Sequence, residues 1–258
     1  MNLQNIFIAG SGNIAWHIAH AFSKANICIS GLWSNNNATL KELSNSLNIP
    51  ILTENEFFNK TGLFFLCVND SSIDSLAAKC STNNTLIHCS GSVHISNLTK
   101  YSENSGVFYP VQTLKKGIKT NFSKIPILIE YSNENVKQLL TEIAKKLKCK
   151  YYYYSSEQRI IIHISAVFAN NFSNFMFTLA QEFLKNNKIN PNILNDLIKE
   201  TALKAINYGA FYSQTGPSVR GDKITIEKHL NELNNLPDLK NFYSFVSDYI
   251  TKFYQKKE

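Results

Sequence analysis

Ile6-Phe-Ile-Ala9 is a short apolar run, and Gly10-Ser11-Gly12 follows it at once. Ile14, Ala15, Ile18, Ala19 and Phe22 then recur at spacings of one to four, the pattern of a helix packed on one face. Strand, glycine turn and helix in that order form a phosphate cradle. Gly10 admits the tight turn, Gly12 has no Cβ to fend off a diphosphate, and Ala15 lets the helix lie close on the strand. The first N–H groups of the helix, with the positive end of its dipole, face the same place. Gly10, Ser11, Gly12, Asn13 and Ile14 are therefore the first candidate residues, and a dinucleotide is the ligand they fit.

A second strand, read over 27–33, ends in Ser34-Asn35-Asn36-Asn37. Sites selective for NAD place a carboxylate about 20 residues past the glycines, where it accepts from the ribose 2′-OH. Here no Asp or Glu occurs before Glu42. A carboxylate would repel a 2′-phosphate, whereas Ser34, Asn35 and Asn36 can donate to one, with Lys41 as the nearest cation. The expected cofactor is NADP(H). Val68 and Asn69 close the apolar run 62–68 and should border it, because ligands of a doubly wound sheet lie at the carboxyl ends of strands. Ser90 and Gly91 follow the run 85–88 and join the cofactor candidates. His88 beside them reads either as a contact to ribose or substrate or as a satisfied histidine in a turn.

From Gln158 to Asn187 there is neither Pro nor Gly. Ile161, Ile164, Phe168, Phe172, Phe175, Leu179 and Phe183 recur at threes and fours, which predicts one long helix serving as a buried spine. Arg159, His163, Asn170, Asn174 and Gln181 fall within about 60° of one another at 100° per residue. Such a polar seam faces solvent or lines a polar cleft. His163 is the candidate proton donor, and Asn170 the residue that positions it or the substrate. Arg159 and Arg220 are the only arginines. A planar guanidinium grips a carboxylate or phosphate at two points. Arg220, in the turn-rich stretch 208–222, is therefore the candidate anchor of a small anionic substrate. The alternative for these arginines is a structural ion pair with Asp222 or Glu157. His163, Asn170 and Arg220 make up the candidate catalytic set.

The elements that must position these residues alternate. Strands are read over 6–9, 27–33, 50–52, 62–68, 85–88, 106–113, 125–131 and 150–154, with helices over 40–47, 54–59, 133–147 and from Asp70. Apolar runs without alternation are those of parallel strands buried on both faces. After Tyr154 only helical periodicity remains, over 158–187, 190–207, 223–236 and 239–256. The expected fold is α/β. A Rossmann-type domain with a doubly wound, mainly parallel sheet spans 1–154, and an all-α substrate and dimerisation domain spans 155–258. The last helix shows Phe242, Phe245, Val246, Tyr249, Ile250 and Phe253 on one face, as core or as a subunit contact. So many apolar side chains in a domain of about 100 residues predict a homodimer.

Composition narrows the classes. With 44% hydrophobic and 17% charged residues, the 258-residue chain is globular rather than disordered. The net charge is +7, but the lysines are scattered, which fits a phosphorylated cofactor and solvated surface rather than nucleic acid. Five cysteines, an odd number without ligand spacing, read as reduced thiols and no metal site. No apolar run approaches the ~18 residues of a membrane span, and no basic leader precedes the first strand. The expectation is a cytoplasmic protein that does not enter the membrane.

Five segments occur in a fixed order: Gly10–Ala15, His88–Gly91, Tyr109-Pro-Val-Gln-Thr113, His163–Asn171 and Gly216-Pro-Ser-Val-Arg-Gly-Asp222. As a set they resemble a family of uncharacterised, provisionally assigned Rossmann-like NADP oxidoreductases. They are more distantly similar to pyrroline-5-carboxylate reductase, ketopantoate reductase and the 6-phosphogluconate dehydrogenase group. The resemblance covers nearly the whole chain. It implies NADP binding, a cleft between the domains and dimerisation through the helices, and it names no substrate. Two positions depart from the family pattern, where an arginine is common near Asn35 and a histidine at the place of Tyr109. The β-hydroxyacid relatives use a lysine and an asparagine on the long helix, and this chain offers His163 and Asn170. The expected function is reduction of a small polar carbonyl or imine by NADPH. The alternative is a sensor or scaffold that binds NADP without turnover.

Overall fold

The computed structural model describes residues 5–118 and 120–256. Seven strands form one sheet: β1 (Ile6–Ala9), β2 (Ile29–Trp33), β3 (Leu63–Leu66), β4 (Thr85–His88), β5 (Ser105–Pro110), β6 (Ile127–Tyr131) and β7 (Tyr151–Tyr153). Their order is β2-β1-β3-β4-β5-β6-β7, and every neighbouring pair is parallel except β5 and β6. The expected mainly parallel sheet is what forms. β5 ends at Pro110, in register with Ile127, rather than running on to residue 113. The segment 50–52 contributes only a single bridge, Leu32 to Ile51.

Successive side chains of β1 point to opposite faces and build two separate cores. Ile6 and Ile8 pack with Ile18 and Phe22 of α1 (Asn13–Lys24), Leu43 of α2 (Asn37–Leu47) and Ile143 of α6 (Glu134–Lys146). Phe7 and Ala9 pack with Phe57 of α3 (Glu54–Phe58), Ile73 of α4 (Asp70–Ala77) and Leu98 of α5 (Ser96–Thr99). Helices thus cover both faces, as a parallel sheet requires.

The long helix begins on a capping box made by Ser155 and Gln158. It runs through α7 (Ser156–Ala166), a π-helical stretch (Val167–Phe172) and α8 (Ser173–Asn186). Its apolar stripe is not a buried spine within the chain. Ile161 and Phe168 are each 63% exposed and Phe175 52%. Over Ser156–Asn186, a helix of 31 residues, the most apolar window reaches a mean hydropathy of 1.3, long and apolar enough by length and composition to cross a membrane. The polar residues are gathered on one seam, so an 18-residue window holds few charges although no unbroken apolar run exists.

The chain divides into two compact units, Met1–Asn174 and Phe175–Glu258, with the division inside this helix. The sheet ends at Tyr153, near the boundary read at residue 154. The first half of the long helix belongs with the sheet unit because its polar residues bond there. The helical unit continues with a 3-10 turn (Pro191–Leu194), α9 (Asn195–Lys204), a π stretch (Ala205–Gly209), α10 (Ala210–Ser213), α11 (Pro217–Arg220), α12 (Lys223–Glu232) and α13 (Pro237–Gln255). The stretch 208–222 is therefore largely helical rather than a loop. Asp222 caps α12 as expected, accepting from the Thr225 N–H at 3.0 Å.

Candidate functional site

The glycine turn opens onto a cavity of about 360 Å³ at the carboxyl ends of β1, β2 and β3. Gly10, Ser11, Gly12, Ser34, Asn35, Asn36, Val68 and Asn69 line it, so eight of the twelve cofactor candidates meet there. The two glycines serve different ends. Gly10 has φ +116°, and a Cβ on it would lie 2.1 Å from the Cys67 carbonyl oxygen. Gly12 has an ordinary φ of −78°, and a Cβ on it would meet nothing within 4 Å. The chain itself needs Gly10, whereas the open space before Gly12 suits a diphosphate resting on the start of α1. Ala15 is fully buried, which lets α1 lie close on the sheet.

At the end of β2, hydroxyl groups replace the carboxylate of an NAD site. Ser11 Oγ donates to Ser34 Oγ at 2.9 Å and lies 2.6 Å from Thr39 Oγ1. The Asn36 side chain accepts from the Thr39 N–H and caps α2. Lys41 does not line the cavity. The cation there is Lys79, held by Glu54 at 2.5 Å. Thr39, Ser72, Ser75 and Lys79 were not legible as site residues, because only the packing of α2 and α4 brings them to β2 and β3.

A second cluster forms on the polar seam. Arg159, 1% exposed, bonds Glu130 of β6 and the Val93 carbonyl. Glu130 also accepts from the Ser156 N–H at 3.0 Å, which fixes the start of α7. One turn on, His163 Nδ1 lies 2.9 Å from the Tyr109 hydroxyl of β5. The rings meet edge to face, with centroids 5.8 Å apart. Both press on Gly91, where a Cβ would lie 2.6 Å from His163 Nδ1 and 2.9 Å from Tyr109 Cζ. Burial pushes the Tyr109 phenol above its ordinary value, so it stays protonated. Further along the helix, the Asn170 amide donates to Thr113 Oγ1. From Arg159 to Asn170 the seam therefore faces the sheet unit.

Comparisons with known proteins agree with this architecture. Residues 125–250 match the family model described as a domain of unknown function (DUF2520). A provisionally assigned NADP oxidoreductase from Bacteroides fragilis superposes with a TM-score of 0.89 at 28% identity, covering 97% of this chain and 100% of that one. Pyrroline carboxylate reductase from Plasmodium falciparum, solved with NADP bound, gives 0.60 at 13% identity over 96% and 98%. Prephenate dehydrogenase from Aquifex aeolicus, in complex with hydroxyphenyl propionate and NAD+, gives 0.59 at 12% over 99% and 96%. The fold is that of NAD(P)-dependent oxidoreductases. Among proteins of curated function, none matches the sequence. The resemblance read from the motifs thus holds, and these relatives bind NADP or NAD.

On this oxidoreductase fold the remaining candidates sort as follows. Asn13 lies at the start of α1, where its side chain accepts from the Lys116 N–H, and the side chain of Ile14 packs on the core. Ser90 Oγ accepts from the Ser92 and Val93 N–H groups, so it holds the turn after β4, and Gly91 is buried there. His88 is fully buried; its Nδ1 accepts from the Ser90 N–H, while its Nε2 is buried without a hydrogen-bond partner. Burial, with Arg159 nearby, pulls its pKa down to about 3, so it is neutral. Asn170 bonds Thr113 and does not bond His163. Arg159 pairs with Glu130 rather than Glu157, which bonds His94 instead. Arg220 ends α11 in the helical unit, exposed, and helps to lower the Asp222 carboxyl, after the larger effect of Thr225. All five cysteines are free, four of them buried, and no group of potential metal ligands exists among the described residues.

Proposed function

We propose that this chain is an NADPH-dependent reductase of a small polar carbonyl or imine. The observation that carries this reading is the placement of His163. It is bonded to Tyr109 and seated on Gly91, the turn after β4, on the carboxyl edge of the sheet whose neighbouring strands line the cavity. NADPH, when bound, supplies the hydride. The Gly10–Ile14 turn would hold its diphosphate. Ser34, Asn35 and Thr39 would donate to its 2′-phosphate, and Lys79 would supply charge. Ser90 and Gly91 would shape the nicotinamide side through their backbone. His163 would give the proton, Asn170 would order the segment at Thr113, and Arg220 would anchor an anionic substrate.

The working form in this reading is a homodimer. Phe168, Phe175, Phe245 and Tyr249 are each more than half exposed in the single chain. A second copy covering such faces would remove them from water, at roughly 25 cal/mol per Å² of apolar surface. The test of function is oxidation of NADPH, followed by nicotinamide absorbance, against a panel of 2-oxo acids and cyclic imines. Turnover on one class is expected. Tight NADPH binding with no turnover across the panel would instead support a protein that senses or carries the nucleotide.

A further inference from the structure

Building on the reductase reading, we infer that Tyr109 keeps the proton of the neutral His163 ring on Nε2. His163 is then a fixed donor that selects a carbonyl oxygen over a protonated imine. The ring cannot turn freely, since Nδ1 is bonded to the Tyr109 hydroxyl at 2.9 Å and Gly91 leaves no room for a Cβ beside it. In this bond either atom has the means to donate. The phenol is the stronger acid of the two, and burial keeps it protonated. Its O–H therefore donates and Nδ1 accepts. Nε2 then bears the hydrogen, and it has no protein partner among the described residues. The charges nearest to Tyr109 are themselves engaged, Arg159 by Glu130 and Asp70 by the Ser92 hydroxyl.

A carbonyl oxygen has lone pairs for the Nε2 hydrogen, and it gains negative charge as hydride reaches its carbon. A protonated imine offers an N–H where it would meet another N–H. The hydride forms a C–H bond with its own electron pair, and the C=O π pair moves to oxygen. That oxygen takes the Nε2 proton while Nδ1 takes the phenol proton. An alcohol, a neutral imidazole and a Tyr109 phenolate result, the nicotinamide is oxidised, and water reprotonates the phenolate. The transfer runs downhill because an alkoxide is a stronger base than a phenolate. Tyr109 acts through His163 and is a positioning residue.

Nitrogen-15 spectra of histidine-labelled protein decide the tautomer without any substrate, with His163 assigned by the signals lost in His163→Gln. At a pH where the ring is neutral, Nε2 is expected to be hydrogen-bearing and Nδ1 an acceptor. Tyr109→Phe should shift the ring toward a mixture of tautomers while the melting temperature stays close to that of the wild type. A hydrogen on Nδ1 in the wild type, or an unchanged ring in Tyr109→Phe, overturns the proposal, and the wild-type spectrum decides even if the variant folds poorly. In the NADPH assay, Tyr109→Phe should lower kcat on a 2-oxo acid about tenfold with little change in KM. A wild-type preference for a cyclic imine over every 2-oxo acid also overturns it. Failure to bind NADPH would defeat the reductase reading while leaving the spectral result on Tyr109 intact.

Discussion

Phe64, Phe65 and Phe108 of the sheet are 0% exposed, while Phe175, Phe245 and Tyr249 of the helical unit are 52%, 67% and 64% exposed. Both sets lie on regular elements with clear periodicity. The sheet residues are sandwiched between helices of their own unit. Among the described residues of the helical unit the buried ones are Ser218, Leu233 and Ser247, two of them serines. Periodicity says which residues share a face, but not what covers that face. The strands are covered by helices of their own unit, whereas most apolar side chains on the long helix and in the helical unit stay exposed in the single chain.

The largest expected effect breaks the self-contained side. Gly10→Val puts a Cβ 2.1 Å from a backbone oxygen at a φ of +116°. We expect a loss of about 4 kcal/mol or more in urea unfolding, if the variant folds at all. Wild-type stability would show that the turn is not packed as described. Next comes Arg159→Met, which leaves the Glu130 carboxylate, 14% exposed, without its ion partner. Breaking one side of such a pair costs about 3–5 kcal/mol. A shift within experimental error would mean that the start of the long helix is held by something else. The smallest effect on the single chain belongs to Phe245→Asp. At dilutions where the protein is monomeric, its unfolding should change by about 0.5 kcal/mol or less. Light scattering at micromolar concentration should show the wild type as a dimer and this variant as a monomer. Identical masses would break the comparison between the units.

What could be read from the chain follows the same division. The first strand, the glycine turn and α1 were legible because strand, turn and helix are contiguous and each position has a local reason. The polar seam was legible as a face, but its partners were not. Tyr109 is 54 residues from His163, and Glu130 is 29 from Arg159. Those pairs join α7 to the neighbouring strands β5 and β6, a placement that periodicity does not encode. Tyr109 is the residue that bonds His163. Lys79 reaches the cavity only because α4 packs beside β3, so Lys41 looked nearer along the chain.

The open space in front of Gly12 is where a diphosphate would rest. The backbone angles of Gly12 suit valine, and a Cβ on it meets nothing within 4 Å, so Gly12→Val should fold and melt like the wild type. Calorimetric titration of both proteins with NADPH and NADH is the most direct test. The wild type should bind NADPH more tightly than NADH, and Gly12→Val should bind neither. Equal NADPH affinity in the two proteins, or a wild type that binds neither nucleotide, would contradict the central claim.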